Sequence, residues 1–328
     1  MPRELKNINR ILLVRNDRFG EFLLNIPVAV VLKKIFPSSE ITLVVKPQVE
    51  GLARRIPVAD KVLLWDSLIV HTIRQKLCFL GNIKSRKFDL TLILNPSKEF
   101  NIYAYLSGIP LRAGYDRKLG FLLNCKVEDK KYEGLRHEVD YNLDLLRVIG
   151  INAEPSDIKF PLDIKPDDFP DSRMNELGIP EDIPFIVIHP WASNKEKEWP
   201  LAKFRELSIR ISCELGIKVA LIGAEEEALR AREFCRGLDI TDLTGKVNLV
   251  ELAAFLRKSR LLVSNDSGPM HLAAILNTPV VAIFRKSPPY VSSRRWGPVG
   301  SKNLVIENDS IARIEIDEVL NGIKKLLG

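Results

Sequence analysis

The sequence is sparing with the residues that usually announce metal, disulfide or membrane chemistry. Its four cysteines, Cys78, Cys125, Cys213 and Cys235, stand alone with no Cys-x-x-Cys pair, which speaks against a zinc site and against a disulfide framework and marks them as reduced thiols. It has no Asp-x-Asp pair of the sort that holds a divalent ion on a diphosphate, and no Gly-x-Gly-x-x-Gly loop, so ordinary dinucleotide binding is disfavoured. No long apolar run occurs near the start. The polar, basic stretch Met1 to Arg10 is followed by an apolar run that breaks at Arg15-Asn-Asp-Arg18, too short for a signal peptide or a spanning helix. A cytoplasmic protein is expected. Short-period repeats and low-complexity segments are also missing, which excludes solenoids and disordered tails.

What is present is an ordinary globular balance, 46% hydrophobic and 28% charged over 328 residues, long enough for two α/β domains of roughly 150 residues. The net charge of +7 is unevenly spread. Residues 1–150 hold 25 Lys and Arg against 16 Asp and Glu, and the remainder holds 24 against 26. The excess positive charge therefore lies in the first half, where it suits an anionic partner such as a phosphorylated acceptor, nucleic acid or an acidic membrane leaflet. A solvated surface with no partner fits the same count.

Strand-length apolar runs alternate with amphipathic stretches, the order of elements that builds parallel sheets flanked by helices. In the first half the runs 11–14, 41–45, 61–65 and 89–94 read as strands with helices filling the gaps. One helix is opened by Gly20 and carries Leu23, Ile26, Pro27, Val30, Val31 and Lys34 before Pro37 ends it. A proline- and aspartate-rich connection from about Ile151 to Asp182, including Pro180, holds one short helix near 171–177. The rhythm then restarts with strands at 184–189, 218–222, 260–264 and 279–284. The intervening helices fall at 201–215, 225–235, 249–256 and 269–276, and a closing helix covers 311–327. The expected fold is α/β, two Rossmann-like doubly wound domains, 1–165 and 166–328, facing one another across a cleft. The last helix is free to pack back on the first domain.

Three loops at strand ends carry residues suited to chemistry. Between the first strand and helix, Arg15-Asn-Asp-Arg18-Phe-Gly-Glu21 places Asp17 and Glu21 where the carboxyl ends of parallel strands border a ligand crevice; capping of the following helix is the plain alternative. In Asn265-Asp-Ser-Gly-Pro-Met-His271, the exposed N–H groups of a helix start, close approach at Gly268 and the Ser267 hydroxyl suit a diphosphate. An ordinary Ser cap followed by Pro269 is the alternative there, and His271 is equally readable as a core histidine. In His189-Pro-Trp-Ala-Ser193-Asn-Lys-Glu-Lys197-Glu-Trp-Pro200, Ser193 and Lys197 could bind and neutralise a phosphate, or belong to a solvated loop.

Taken together these stretches resemble glycosyltransferase family nine, the ADP-heptose:lipopolysaccharide heptosyltransferases. The resemblance runs through Ile11 to Glu21, Lys197-Glu-Trp-Pro200, Leu243-Thr-Gly-Lys246, Asp266-Ser-Gly-Pro-Met-His271-Leu-Ala-Ala and Arg295-Trp-Gly-Pro298, in the family's order over nearly the whole chain. It implies a GT-B fold whose C-terminal domain holds the nucleotide sugar and whose N-terminal domain holds the acceptor. Carried over, the diphosphate contacts fall on Ser193, Lys197, Asp266, Ser267, Gly268 and His271, and the nucleoside contacts on Glu227 and the Val247 backbone. Three positions depart from the family pattern: Glu21 stands where an aspartate base is usual, Ala192 replaces a hydroxyl residue, and Arg285-Lys286 occupies a turn where Gly-Pro is common.

The resemblance implies inversion at the anomeric carbon by direct displacement without metal or cofactor. Glu21, or failing it Asp17, would take the acceptor's proton, and Lys197 with the helix start at Gly268 would stabilise the departing diphosphate. The acceptor expected is an anionic lipopolysaccharide core on the cytoplasmic face of the inner membrane, reached by peripheral contact, with Arg18, Arg112, Arg117 and Lys118 as acceptor contacts and Lys84, Arg86 and Lys87 as further basic candidates. A transferase using another nucleotide-sugar donor, or a non-catalytic glycan- or nucleotide-binding relative, fits the same motifs less fully. Nucleic acid is not expected as a partner, since no recognition helix, aromatic RNA-binding strand or finger pattern accompanies the charge.

Overall fold

The computed structural model describes residue 5, residues 7–179 and residues 183–328. Met1 to Glu4 and Lys6 of the basic start, and Pro180 to Asp182 at the end of the predicted connection, lie outside the described residues. The chain divides into two compact units, Met1–Asp163 and Ile164–Gly328.

In the first unit β1 (Arg10–Val14), β2 (Glu40–Val45), β3 (Lys61–Leu64), β4 (Leu90–Ile93), β5 (Leu111–Tyr115) and β6 (Cys125–Val127) form one sheet in the order β3-β2-β1-β4-β5-β6. Every pairing among these described strands is parallel. The second unit repeats the plan with β7 (Phe185–His189), β8 (Lys218–Leu221), β9 (Ile240–Asp242), β10 (Leu261–Asn265), β11 (Val280–Arg285) and β12 (Asn303–Asn308), ordered β12-β11-β10-β7-β8-β9. Counted from the first strand of each unit, both sheets have the order 3-2-1-4-5-6 of a doubly wound nucleotide fold. Chain direction reverses its sideways progress between β1 and β4 in one unit and between β7 and β10 in the other. At such a switch point two successive loops leave in opposite directions and open a crevice at the strands' carboxyl ends.

The central strands are apolar on both faces because helices cover both. Ile11 to Val14, Ile186 to Ile188 and Leu261 to Val263 are all buried. The second core gathers Trp191, Trp199, Phe204 and Phe234 around these strands, and the first packs Trp65, Phe100 and Tyr103 edge-on.

Several expected elements take a different form. The helix opened by Gly20 is two, Phe19–Leu23 and Ile26–Ile35, since Pro27 offers no N–H and its ring would collide with the carbonyl four residues back at Leu23. The closing helix begins at Ile316, not Ile311. Residues 311–313 form a 3-10 turn, Ile314 and Glu315 are extended, and the Glu315 N–H donates to the Glu318 carboxylate to start the helix. That helix packs against the helix Leu201–Leu215 and the sheet of its own unit. The stretch 225–235 opens with a 3-10 turn, Glu225–Glu227, before its α-helix. The strands β5, β6, β9 and β12 do not read as apolar runs: β6 and β9 have three residues each, and all four carry polar residues, among them Arg112, Lys126, Asp242 and Glu307.

Candidate functional site

At the switch point of the second unit, the loop after β7 and the loop after β10 leave adjacent strands, Ser264 lying beside His189 in the register. The side chain of Asn265 joins the two loops: its amide donates to the Pro190 carbonyl at 2.7 Å and its oxygen accepts the Trp199 N–H at 3.1 Å. Trp199 is fully buried and donates its indole N–H to the Ile314 carbonyl. Two buried tryptophans, Trp191 and Trp199, therefore root this loop in the core, which a freely solvated loop would not need. On that support the Lys197 ammonium reaches Asp266 at 2.5 Å, with both side chains mostly buried.

The helix Gly268–Ile275 starts immediately afterwards. Ser267 is its cap, accepting the Met270 N–H and bonded to the Ser264 hydroxyl at 2.8 Å, and Pro269 occupies its first turn. The capping reading of Ser267 is thus correct as far as it goes. It leaves the Gly268 end of the helix and Lys197 at one place, a partial positive helix end beside an ammonium, which is the composition of an anion site. His271 lies one turn further in with 3% of its surface exposed, and Ser193 is exposed on the β7 loop.

Glu227 and Val247 belong to the loops after β8 and β9, at the same sheet edge. These two loops are tied by a hydrogen bond from the Gly245 N–H to the Gly223 carbonyl at 3.0 Å. Gly245 has φ +71° and its position admits little but glycine. A side chain at Gly223 would meet the Trp191 indole at 2.5 Å, so the backbone there approaches a ring that is itself fixed to the Ile222 carbonyl. The Glu227 carboxylate turns back to accept the Ala224 N–H at 2.6 Å, and partial burial pushes its pKa up. Beside it, Arg230 stacks on Trp191 and pairs with Glu198 at 2.7 Å.

The first unit's switch point holds a buried charge network. Arg15, at the end of β1, is 4% exposed and donates to the Leu94 carbonyl at the end of β4. It also contacts three carboxylates, Asp17 at 2.7 Å, Glu21 at 2.9 Å and Glu138 at 3.7 Å. Asn95 donates to Asp17 at 3.0 Å across the same strand pair. Glu138 is shared with Lys131 at 2.6 Å, and Lys131 in turn donates to Asn142 and lies over the Tyr115 ring. Neither Asp17 nor Glu21 caps a helix: the cap position of Phe19–Leu23 is Arg18, and no side chain closes it. Capping would have left these acids at water's edge, whereas the buried guanidinium draws them inward.

The two acids are driven apart in acidity. Burial pushes Glu21 up to about 7, aided by its hydrogen bond with Asp17 and the charges of Asp17 and Glu138, with Arg15 opposing. Asp17 is buried too, but the Arg15 charge and hydrogen bonds from Glu21, Asn95 and Arg15 outweigh that and hold it below the usual carboxylate range. Arg15 is held firmly protonated by its three acids despite burial. An apolar pocket lined by Leu13, Phe22, Ala29 and Leu94 adjoins Arg15 and Asn25, which keeps water from screening the set.

The remaining basic candidates have individual settings. Arg18 is exposed, 4.0 Å from Glu21. Arg112 spends its hydrogen bonds on the Ile109 and Leu122 carbonyls and stacks on Tyr105. Arg117 pairs with Asp129 at 2.8 Å, and Lys118 is exposed with φ +49°. Arg15, Asn95, Lys131, Glu138 and Asn265 were not singled out from sequence. Asn95 and Asn265 stand at the ends of strands flanking the switch points, a position that could have drawn attention to them. Nothing in the local pattern marks Glu138, which comes from the distant helix Glu138–Arg147.

Two doubly wound parallel sheets with polar residues gathered at each switch point define the class, a two-unit α/β protein of the GT-B kind. Solved structures agree: E. coli ADP-heptose lipopolysaccharide heptosyltransferase II superposes with a TM-score of 0.83 at 23% identity, covering 97% of this chain and 98% of that one. The E. coli heptosyltransferase WaaC with ADP gives 0.76 at 18%, covering 97% and 99%. Lipopolysaccharide heptosyltransferase 1 of Campylobacter coli is 24% identical, over 97% of this chain and 99% of its own. The family model of glycosyltransferase family 9 (heptosyltransferase) matches residues 78–319; the chain belongs to that family and is a glycosyltransferase. Among the described residues no helix is long and apolar enough to cross a membrane.

Proposed function

We propose that this enzyme transfers a heptose from ADP-heptose to an anionic lipopolysaccharide inner-core acceptor, with inversion and without a metal ion. The observation that carries the reading is the pairing of Lys197 with Asp266 beside the start of the helix Gly268–Ile275. The helix start offers partial positive charge, and Lys197 offers a full one once it exchanges the Asp266 carboxylate for phosphate oxygens, which suits a pyrophosphate leaving group. The donor is assigned to the second unit, with Ser193, Lys197, Asp266, Ser267, Gly268 and His271 around the diphosphate and Glu227 and the Val247 backbone around the nucleoside. Adenine is chosen because relatives of the same fold are described with ADP or as ADP-heptose enzymes.

The acceptor is assigned to the first unit. Glu21 removes the proton from the acceptor hydroxyl as its oxygen attacks the anomeric carbon; the bond from that carbon to the diphosphate oxygen breaks, and ADP departs with the electron pair. A carboxylate poised near 7 is matched to this task, since about half of it is ionised at neutral pH and it is basic enough to accept the proton. Asp17 stays ionised and, with Arg15, fixes the orientation of Glu21. Lys197 and the helix start do for the diphosphate what a divalent ion does elsewhere.

Incubation of the purified protein with ADP-heptose and a truncated lipid-linked core acceptor, followed by product mass, tests the reading directly. Glu21→Gln should abolish transfer while leaving ADP affinity unchanged. Transfer by that variant at the parental rate would remove Glu21 as the base.

A further inference from the structure

The structure assigns a membrane-docking face to the turn and helix that follow β3. This deepens the proposed function, on which it rests for the presence of a lipid-borne acceptor, by naming the surface that meets the bilayer and the lipid chemistry it takes. Leu68, Ile69, Ile73 and Leu77 are exposed by 83%, 57%, 79% and 60%, a concentration of large apolar side chains within ten residues. They are not loose ends. The buried Asp66 carboxylate accepts the Leu68 N–H at 2.8 Å, and the Asp66 carbonyl accepts from Ile69 and Val70, so the turn holds its apolar side chains outward. Thr72 and Gln75 then close a reciprocal capping box at the start of the helix Ile73–Ser85.

On that helix Phe79, Leu80 and Ile83 pack into the first unit's core. Ile73 and Leu77, with Lys84 seven residues beyond Leu77, continue that apolar face past Leu80 to an edge that stays exposed. An exposed apolar edge of this kind, which no described residue covers, marks an interaction surface. Charge decides the partner. From Ser67 to Phe88 the chain has five basic residues, Arg74, Lys76, Lys84, Arg86 and Lys87, and no acidic one. None of the five forms an ion pair among the described residues. Elsewhere in this unit cations are commonly matched, as in Lys33 with Asp60, Lys34 with Asp157 and Arg136 with Asp144. Unpaired cations flanking exposed apolar side chains are the composition of an interfacial element, whose apolar residues enter the headgroup boundary while its cations meet anionic lipid. The occupant is therefore a bilayer bearing anionic phospholipid.

Flotation of the full-length protein with phosphatidylglycerol-containing vesicles, against pure phosphatidylcholine vesicles, tests this without donor or acceptor. Binding to the anionic vesicles, weakened by salt, is expected. An Ile73→Ser/Leu77→Ser variant should lose at least about tenfold in partitioning with an unchanged thermal midpoint, because both side chains are already exposed. That variant should keep full transfer to a detergent-free, delipidated acceptor and lose rate on acceptor embedded in anionic vesicles. Failure of the parent to float, equal flotation of the variant, or a parent dimer that the variant turns into monomer would overturn the assignment, the last in favour of a second copy of the chain. Flotation as expected with no sugar transfer would support the docking face and sink the transfer reading alone.

Discussion

Arg15 is the residue on which the first unit's polar site turns. A guanidinium buried to 4% exposure among three carboxylates cannot be removed quietly, since its loss leaves the partly buried Asp17 without a cation and Glu138 with Lys131 alone. Arg15→Met should lower unfolding stability by about 3–5 kcal/mol, measured by urea titration at pH 7; a loss within the surface range would mean the acids find water instead. The acidity of Glu21 has a kinetic consequence. As a base it works only when ionised, so kcat/KM should fall with a single protonation as pH drops below about 7. A profile flat down to pH 5 would contradict the burial and charge that raise it. His189 gives a separate stability signature. Full burial lowers its pKa to about 3 from 6.5, so the folded protein refuses a proton that the unfolded chain accepts. Stability is complete above pH 6.5 and is lost as pH falls toward 3, by up to about 5 kcal/mol. His189→Leu should flatten the acid side of the urea midpoint plotted against pH.

At the level of loops and helices, the β7 loop and the start of the helix Gly268–Ile275 act as a pair because Asn265 fastens one to the other. Asn265→Ala should raise KM for the donor by about tenfold or more, through loss of two buried hydrogen bonds and displacement of Lys197. An unchanged KM would show that the tryptophans alone hold the loop. The motifs around Lys197 and Ser267 were readable in the chain because each lies at the end of an apolar strand and is short enough to be recognised locally. The acid pair was readable for the same reason, yet its surroundings were not. Whether Asp17 and Glu21 cap a helix or face a buried cation depends on Asn95, Lys131 and Glu138, which only the topology of the sheet brings near. The break at Leu24 and the late start of the last helix show the other limit. Apolar periodicity runs across both, and only the missing N–H of Pro27 and the extended backbone at Ile314 interrupt it.

For the molecule as a whole, the doubled 3-2-1-4-5-6 sheet was foreseeable from alternating strand and helix patterns, although β5, β6, β9 and β12 were too polar, and two of them too short, to stand out. The proposed chemistry divides labour between the units, and ligand binding should report on the second. ADP at a hundredfold excess over its Kd should stabilise the protein by about 2.7 kcal/mol, seen as a rise in thermal midpoint, with UDP and GDP weaker. Equal shifts for all three would remove the case for an adenine nucleotide. Transfer should also proceed at an unaltered rate in excess chelator; a collapse restored by magnesium would assign the diphosphate's charge to a metal instead of to Lys197.

The acid that steadies Arg15 from behind arrives late in the chain. A ribosome that has released β1 through β5 has already delivered the arginine, both loop acids and Asn95, but not Lys131 or Glu138. Until the helix Glu138–Arg147 docks, the growing chain holds two acids against one cation, and Glu21 lacks one of the negative neighbours that raise its pKa. Its full tuning is therefore acquired with the closing piece of the first unit and cannot precede it.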